Sequence, residues 1–243
     1  MIINPYDFLE TMNTATEDEK QKLTLILAES EIEQIPSKIQ FHPQIKSYAK
    51  SKNKPASELL LDASYHHAAM KKLPDSSRRG RPDIAHRCAL FALDSAINKK
   101  ALLQFYIHTR NEKIIWINPK TRLPRQYHRF IGLMEQLLKK SCIETANEVL
   151  LSIESKSLDE LLSEQKGETF LLWEQGKKSS LFQMCKYNES SPLTVVIGGF
   201  PHGDFHLASN LIEHKISIDS ESHTASYLLA KTICTFEQVY FQQ

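Results

Sequence analysis

The sequence has few cysteines, and none of them lies in a metal-binding or redox pattern. Cys88, Cys142, Cys185 and Cys234 are widely spaced, and no Cys-x-x-Cys pair occurs. This spacing argues against a disulfide framework and a zinc site, and it favours reduced thiols that are mostly buried. Ten histidines include the adjacent pair His66-His67, but no second spaced pair accompanies it, so polar contacts are favoured over metal binding.

Long apolar runs are also missing. No stretch approaches the roughly 20 apolar residues that a membrane-spanning helix requires. The first five residues lack the charged and then apolar pattern of a signal peptide. We therefore expect no membrane partner and a cytoplasmic location. A chain of 243 residues, 41% hydrophobic and 24% charged, fits one globular domain or one domain with an appendage.

The chain has no large excess of charge, since its formal net charge is +1. Its positive charge is nevertheless concentrated in residues 78–87 and 120–129, which contain a single acid, Asp83. The basic residues there are Arg78, Arg79, Arg81, Arg87, Lys120, Arg122, Arg125 and Arg129. Such clustering predicts a local polyanion site, and the planar guanidinium suits phosphates and base edges. Two solvated loops with no such partner are the alternative.

Glycine is scarce, with seven in the chain, and three of the seven are Gly198, Gly199 and Gly203. They follow the apolar run 194–197, which is typical of a buried strand. A strand that ends in glycines favours a ligand site at the carboxyl edge of an α/β sheet. The spacing fits neither a dinucleotide motif nor a phosphate P-loop. It predicts a backbone-lined pocket for a small ligand, with a tight turn without ligand as the alternative.

The order of the predicted elements indicates an α/β fold. We predict strands over 22–28, 102–108, 114–117, 170–173, 194–197 and 216–218, and helices over 83–98, 130–140, 150–162 and 224–240. Residues 110–113 should join two strands as a hairpin. Asp83 is a candidate N-cap for the helix that starts there. Alternating strands and helices in the last third favour a parallel sheet.

Several short motifs, taken in their order along the chain, resemble one family. They are Leu60-Leu61-Asp62 with His66-His67, Arg81-Pro82-Asp83-Ile84 with His86, Tyr106-Ile107-His108-Thr109-Arg110, Asn118-Pro119-Lys120-Thr121-Arg122-Leu123-Pro124-Arg125, Arg129-Phe130-Ile131-Gly132-Leu133-Met134, and the glycine loop. With these motifs the chain resembles the SPOUT-class enzymes that methylate N1 of pseudouridine in small-subunit ribosomal RNA. The resemblance extends from about residue 22 to the C-terminus.

The resemblance implies a fold, a cofactor and an assembly. The fold would be a single SPOUT methyltransferase domain over 22–243 after a lead-in at 1–21. It would have a parallel sheet flanked by helices and a deep trefoil knot within about 170–243. The implied cofactor is S-adenosylmethionine, and the implied assembly is a homodimer. The cofactor residues that follow from the resemblance are Leu172, Gly198, Gly203, Ile218, Asp219, Ser220, Glu221, Ser222 and His223.

The resemblance also implies catalytic and RNA-binding residues. Arg81 would contact the flipped-out base or its phosphate, and Asp83 would either hold Arg81 or accept the N1 proton as a general base. Asp83 as a helix N-cap alone is the structural alternative. The implied RNA-binding residues are Arg81, Arg122, Arg125 and Arg129. Binding through them should weaken with salt, and the target nucleotide should be looped out.

Two other functions remain open from the sequence. One is a non-catalytic ribosome assembly factor that binds the same small-subunit ribosomal RNA without methylating it. The other is a SPOUT methyltransferase that acts on another RNA. Binding of S-adenosylmethionine would separate the enzyme from the assembly factor, and the substrate RNA would separate the two enzymes.

Overall fold

The computed structural model describes residues 22–146, 148–187 and 191–241. The predicted lead-in at 1–21 lies outside the described residues. In the described part, eight strands form one sheet in the order β4-β5-β3-β2-β1-β7-β6-β8. The strands are β1 (Leu23–Ser30), β2 (Leu103–Thr109), β3 (Lys113–Ile117), β4 (Cys142–Glu144), β5 (Val149–Ser155), β6 (Glu168–Lys178), β7 (Leu193–Gly198) and β8 (His214–Ser217).

Helices connect most of these strands and cover both faces of the sheet. They are α1 (Pro43–Lys52), α2 (Ala63–Met70), α3 (Pro82–Asp94), α4 (Ala96–Lys99), α5 (Tyr127–Lys140), α6 (Leu158–Ser163), α7 (Leu181–Tyr187), α8 (Ala208–Leu211) and α9 (Ala225–Phe241). The last helix, α9, packs against α3 and α7. Within the described ranges, no helix has the length and apolarity needed to cross a membrane.

The sheet is mixed, so the prediction of a parallel sheet is correct for only part of it. Strand β1 pairs in parallel with β2 and β7, and β6 pairs in parallel with β7 and β8. The pairs β2–β3, β3–β5 and β4–β5 are antiparallel. The predicted hairpin at 110–113 is confirmed, and it explains the difference, because so short a turn can join only antiparallel strands.

The centre of the sheet is hydrophobic on both faces. All eight residues of β1 are buried. Leu25 and Leu27 belong to the core on one face, and Ile26 and Ala28 belong to the core on the other. This arrangement follows from the two-residue period of a strand that is covered by helices on both sides.

Two predicted helices are wrong in detail. Residues 150–162, expected to be one helix, form strand β5 followed by α6, which starts at a capping box of Ser157 and Glu160. Residues 151–155 pair with β3, so strand pairing overrides the pattern that favoured a helix. The helix expected over 83–98 ends at Asp94, because Ser95 is extended and caps α4.

The cysteines are free, as predicted, but only half of them are buried. Cys88 and Cys185 are buried, Cys142 is half-buried and Cys234 is exposed. Among the described residues, no group of three or more His, Cys, Asp or Glu side chains is arranged to hold a metal ion. His66 is buried, and its Nδ1 accepts a hydrogen bond from the backbone N–H of Asp62 at 3.0 Å.

Residues between β1 and α3 form a small unit with its own core. Its buried side chains are Ile35, Ile39, Ile45, Leu59, Leu61, Ala69, Met70 and Leu73. The unit is fastened to α5 by an ion pair between Lys54 Nζ and Glu135 Oε2 at 2.7 Å. A second link is the hydrogen bond from the Tyr127 hydroxyl to Asp62 Oδ2 at 2.6 Å. These contacts bring the unit beside the arginine-rich segment that precedes α5.

Candidate active site

A cavity of about 520 Å³ opens where β6, β7 and β8 end. Its walls come from the glycine loop after β7, from the loop between β8 and α9, and from the start of α9. The volume is in the range that small-molecule sites occupy. The cavity also lies at the carboxyl edge of parallel strands, where the sequence predicted a ligand pocket.

The cavity brings together nearly all the residues that the resemblance assigned to the cofactor. The lining includes Leu172, Gly198, Gly203, Ile218, Asp219, Glu221, Ser222 and His223. Ser220 is not part of the lining; its backbone N–H donates to Asp219 Oδ1 at 2.7 Å. Other lining residues were not among the predicted cofactor residues, and they include Trp173, Gln175, Phe200, Phe205, Ser217, Ala225 and Leu228.

Two glycines of the loop have distinct structural reasons. A Cβ on Gly199 would lie 2.1 Å from Ser30 Oγ, so glycine is needed there for the loop to pack against β1. Gly203 has φ +86°, a left-handed conformation that side-chain-bearing residues rarely adopt. The first glycine therefore serves packing, and the second serves the shape of the cavity wall.

Arg81 lines the same cavity and is held by Asp83. Arg81 Nε and Nη2 donate to the two carboxylate oxygens of Asp83 at 2.7 and 2.9 Å. Arg87 Nη2 donates to the same carboxylate at 2.6 Å. Burial opposes the charge on Asp83, but the hydrogen bonds and charges of Arg81 and Arg87 keep the pKa of the carboxyl below its ordinary value. The carboxylate is thus ionised and fully engaged.

The structure corrects the suggestion that Asp83 is a helix N-cap. The N-cap of α3 is Arg81, whose side chain makes no capping hydrogen bond, and Pro82 occupies the first helical position. Asp83 lies in the first turn, where its negative charge also favours the helix dipole. Its side chain is directed at the two arginines rather than at the backbone.

A second polar contact fixes the neighbouring helix start. The Tyr127 hydroxyl donates to Asp62 Oδ2, and Asp62 Oδ1 accepts from the backbone N–H of Ser64 at 2.8 Å. Burial, and next the hydrogen bond to Asp62, raise the pKa of Tyr127 above its ordinary value. Tyr127 therefore remains a neutral donor. Sequence reasoning included Tyr127 in the arginine-rich stretch but gave it no role.

His86 connects α3 to the loop that carries the second arginine group. His86 Nε2 lies 2.7 Å from the carbonyl oxygen of Pro124, and its ring stacks on Phe130 with centroids 4.4 Å apart. Burial lowers the pKa of His86, so the ring is neutral near pH 7 and donates to Pro124. Arg81 directly precedes α3, and Arg122 and Arg125 lie close to Pro124 in the sequence. The contact therefore fixes the position of Arg81 relative to these two arginines.

Three of the predicted RNA-binding arginines are free for a partner. Arg122, Arg125 and Arg129 are exposed. None of them forms an ion pair with another of the described residues. Unpaired guanidinium groups on an exposed surface are available to phosphates.

Arg78 and Arg79 contradict the prediction that they extend the basic patch. Both are buried, and they face acidic residues at alternating positions at the end of β1 and just after it. Arg78 pairs with Glu29 at 2.6 Å and Glu31 at 3.0 Å, and Arg79 pairs with Glu33 at 2.6 Å. The acids at 29, 31 and 33 are recognisable in the sequence as an alternating run, but the sequence does not indicate which basic residues they pair with. The charge of these arginines is neutralised inside the protein.

The Glu29–Arg78 ion pair supports the glycine loop and the residues that follow it. The Glu29 carboxylate accepts hydrogen bonds from the backbone N–H groups of His206, Leu207 and Ala208 at 2.8–3.1 Å. Arg78 also donates to the carbonyl oxygen of Asp204 and lies 3.6 Å from the centroid of the Phe200 ring. One wall of the cavity is therefore built on a buried ion pair.

The side chain of Asp204 completes this wall from the cavity side. Its two carboxylate oxygens accept hydrogen bonds from Trp173 Nε1 at 2.6 Å and from Gln175 Nε2 at 2.8 Å. The glycine loop is thus tied both to β1 and to β6.

Comparisons with known proteins agree with this geometry. A family model described as "EMG1/NEP1 methyltransferase" matches residues 25–237. The chain is 47% identical over 218 residues to "Ribosomal RNA small subunit methyltransferase Nep1" of Thermococcus onnurineus, covering 88% of this chain and 98% of that protein. It is 38% identical over 224 residues to the protein of the same name from Staphylothermus marinus, covering 91% and 97%.

A solved structure is similar over most of its length. It is the crystal structure of Archaeoglobus fulgidus Nep1 bound to S-adenosylhomocysteine, with a TM-score of 0.81 and 35% sequence identity. The match covers 90% of this chain and 98% of that chain.

Proposed function

The chain belongs to the EMG1/NEP1 methyltransferase family, and we propose that it uses S-adenosylmethionine to methylate small-subunit ribosomal RNA during ribosome biogenesis. More specifically, the target is N1 of a pseudouridine. The observation that carries this proposal is the cavity at the carboxyl edge of the sheet, because Arg81, held by Asp83, forms part of its lining. A cofactor site and an RNA-contacting group therefore meet in one place.

The chemistry of the cavity fits the cofactor. Leu172, Ile218 and Leu228 offer apolar surface for an adenine ring, and the glycine loop offers backbone groups at close approach. Asp219 and Glu221 give the lining negative charge, which favours a ligand that carries a positive sulfonium. S-adenosylmethionine, when bound, supplies an activated methyl group.

Arg81 and Asp83 have different roles in this proposal. Arg81 contacts the target nucleotide and holds N1 in line with the methyl group, since positioning supplies much of the rate when the donor is already activated. Asp83 orients Arg81 through its two hydrogen bonds. The lowered pKa of Asp83 and its second partner, Arg87, make it a poor general base at neutral pH. We therefore assign it as a positioning residue.

Arg122, Arg125 and Arg129 bind the phosphates that flank the target. Their exposure and lack of partners among the described residues support this role. The contact of His86 with Pro124 keeps these arginines near Arg81, so the RNA backbone can be gripped while the target base enters the cavity. The base must leave its stack to reach the cavity.

The proposal extends to the assembly and the chain path. We propose a single SPOUT domain over 22–243 that is knotted within about 170–243, and the return of α9 from β8 at the sheet edge to α3 and α7 is in keeping with such a path. We also propose a homodimer located in the cytoplasm. Phe91 on α3 and Tyr227 on α9 are 52% and 45% exposed, and these apolar surfaces on packed helices suit a partner subunit.

Methyl transfer to matched RNA hairpins tests the function. The protein is given S-adenosylmethionine labelled in its methyl group and two hairpins that differ only by pseudouridine or uridine at the loop position. We expect transfer to the pseudouridine hairpin alone. Transfer to both hairpins would contradict N1 specificity. Tight RNA binding without transfer to either would favour the assembly factor.

A further inference from the structure

One segment of the small unit between β1 and α3 carries positive charge without any acid. Residues 34–57 contain no Asp or Glu, and they contain Lys38, Lys46, Lys50, Lys52 and Lys54. All five lysines are exposed. We call these lysines, together with Phe41, the lysine surface. A run of like charge is often only a solvated face, so the contacts of each amine decide whether it is available to a partner.

Most of this charge is not neutralised within the protein. Lys54 pairs with Glu135, but Lys38, Lys46, Lys50 and Lys52 form no ion pair with any of the described residues. Lys46 Nζ instead lies 5.5 Å from the centroid of the Phe41 ring, and Lys52 Nζ lies 5.3 Å from that of Tyr48. These amines therefore remain available to an anionic partner.

An exposed aromatic ring lies beside some of these amines. Phe41 is 79% exposed, the most exposed of the large hydrophobic residues in the described part of the chain. It forms one side of an open groove whose other lining residues include Lys46, Lys50 and Asn53. Exposed aromatic rings set among basic side chains are the pattern of single-strand binding, in which bases stack on rings and phosphates meet the amines.

The lysine surface adjoins the arginines assigned to the target RNA. Lys54 bonds to Glu135 on α5, and the N-terminal turn of the same helix carries Arg129. Helix α5 has 14 residues and so spans about 21 Å. An RNA strand that leaves the arginines along α5 reaches the lysine surface within a few nucleotides. Acidic protein segments would satisfy the charges, but they would leave the exposed ring without a matching partner.

We propose that the lysine surface is an accessory site for single-stranded RNA, in which a base stacks on Phe41 and phosphates contact Lys46 and Lys50. The inference rests on the proposed function, because it takes the bound RNA to be the methylation substrate and adds a contact outside the target loop. It extends the footprint beyond Arg122, Arg125 and Arg129 and predicts that RNA length matters for affinity.

The test compares two RNAs and matched variants of the full chain. One RNA is the pseudouridine hairpin alone, and the other is the same hairpin with single-stranded tails on both ends. The variants are Phe41→Ala and Lys46→Ala/Lys50→Ala. The control is Lys166→Ala/Lys186→Ala. These two lysines are exposed and lie near the edge of the parallel strands that is opposite to the cavity. Affinity is measured over a series of salt concentrations.

We expect Phe41→Ala to weaken binding of the tailed RNA by about tenfold. The double lysine variant should weaken it and reduce the salt slope by about one to one and a half units. Binding of the bare hairpin, affinity for S-adenosylmethionine and the control variant should be unchanged. If Phe41→Ala, the double lysine variant and the control all bind the tailed RNA as tightly as the parent protein does, the inference is overturned. That result would favour a protein partner for the lysine surface instead.

Arg125→Ala separates this failure from failure of the proposed function. If Arg125→Ala weakens both RNAs while the lysine-surface variants weaken neither, the accessory site is wrong and the RNA-binding proposal stands. If Arg125→Ala also has no effect, Arg125 is excluded from the phosphate contacts; the RNA-binding proposal as a whole fails if the parent protein binds neither RNA.

Discussion

The two arginine-rich stretches have similar composition, but one pair of arginines from each is in the opposite physical state. Arg78 and Arg79 are buried and paired with three glutamates, whereas Arg122 and Arg125 are exposed without ion pairs to the described residues. Arg78 supports the wall of the cavity and Arg79 is paired with Glu33, whereas the second pair faces solvent. The number of arginines in a stretch thus says little about a binding surface until the positions of the acids are known.

The difference has a simple electrostatic cause. A buried guanidinium is tolerated only when it is paired and hydrogen-bonded, because its desolvation is otherwise too unfavourable. The acids that alternate at the end of β1, Glu29, Glu31 and Glu33, supply those partners. Among the described residues, the segment 120–129 has one ion pair, between Lys120 and Glu148, so its arginines stay in water.

The largest predicted effect comes from replacing a buried arginine of the first stretch. Arg78→Met should lower the free energy of unfolding by about 3–5 kcal/mol, because it leaves Glu29 and Glu31 buried with one cation fewer. It should also weaken S-adenosylmethionine binding, since Arg78 contacts Asp204 and Phe200 in the cavity wall. Urea denaturation and calorimetry measure the two effects.

Arg125→Met is the matched control from the second group. An exposed arginine without partners should change the free energy of unfolding by no more than about 0.5 kcal/mol. If the two variants were equally stable, the contrast between a buried and an exposed group would be refuted.

A double replacement sharpens the account of the buried pairs. Arg79→Met alone should destabilise by about 3 kcal/mol, because the bidentate contact with Glu33 is lost and the carboxylate stays buried. Arg79→Met combined with Glu33→Met should recover most of that loss, since apolar side chains can fill the same space. A double variant as unstable as the sum of the single variants would show that the pair does not act as a unit.

The second group is tested through RNA rather than stability. Arg125→Ala should reduce the slope of log affinity against log salt by about one unit, because one phosphate contact is removed. The pseudouridine hairpin is the ligand, and filter binding over a salt series is the measurement. Arg78→Met should leave this slope unchanged wherever the protein is folded. An unchanged slope for Arg125→Ala would exclude Arg125 from the phosphate contacts.

The position of the cavity could be predicted from the sequence better than the burial and pairing of the arginines. Gly198 and Gly203 could be placed at a pocket because a buried strand that ends in glycines favours a ligand site at the carboxyl edge of an α/β sheet, whereas Leu172 was placed there through the family resemblance. Partner choice is not local: nothing near Arg78 in the sequence says that Glu29, 49 residues earlier, is beside it. The same dependence on distant partners explains the wrong helix prediction for residues 150–162, where pairing of β5 with β3 replaces part of the expected helix.

A small effect on stability is predicted for Asp83, which is intermediate between the two groups. Its side chain is 31% exposed and is paired with two arginines, so solvent screening limits its contribution to at most about 1 kcal/mol. Because the pKa of Asp83 is lowered in the folded protein, this stabilisation is present above the ordinary pKa of about 4 and is lost as the pH falls through the folded value. Asp83→Asn should therefore be less stable than the parent protein at pH 7 by up to about 1 kcal/mol, and the difference should shrink as the pH falls below about 4 and through the lowered pKa of the folded protein. Urea denaturation of both proteins across this range measures the difference. A difference that did not change with pH would mean that the charge of Asp83 contributes nothing and that its hydrogen bonds alone hold Arg81.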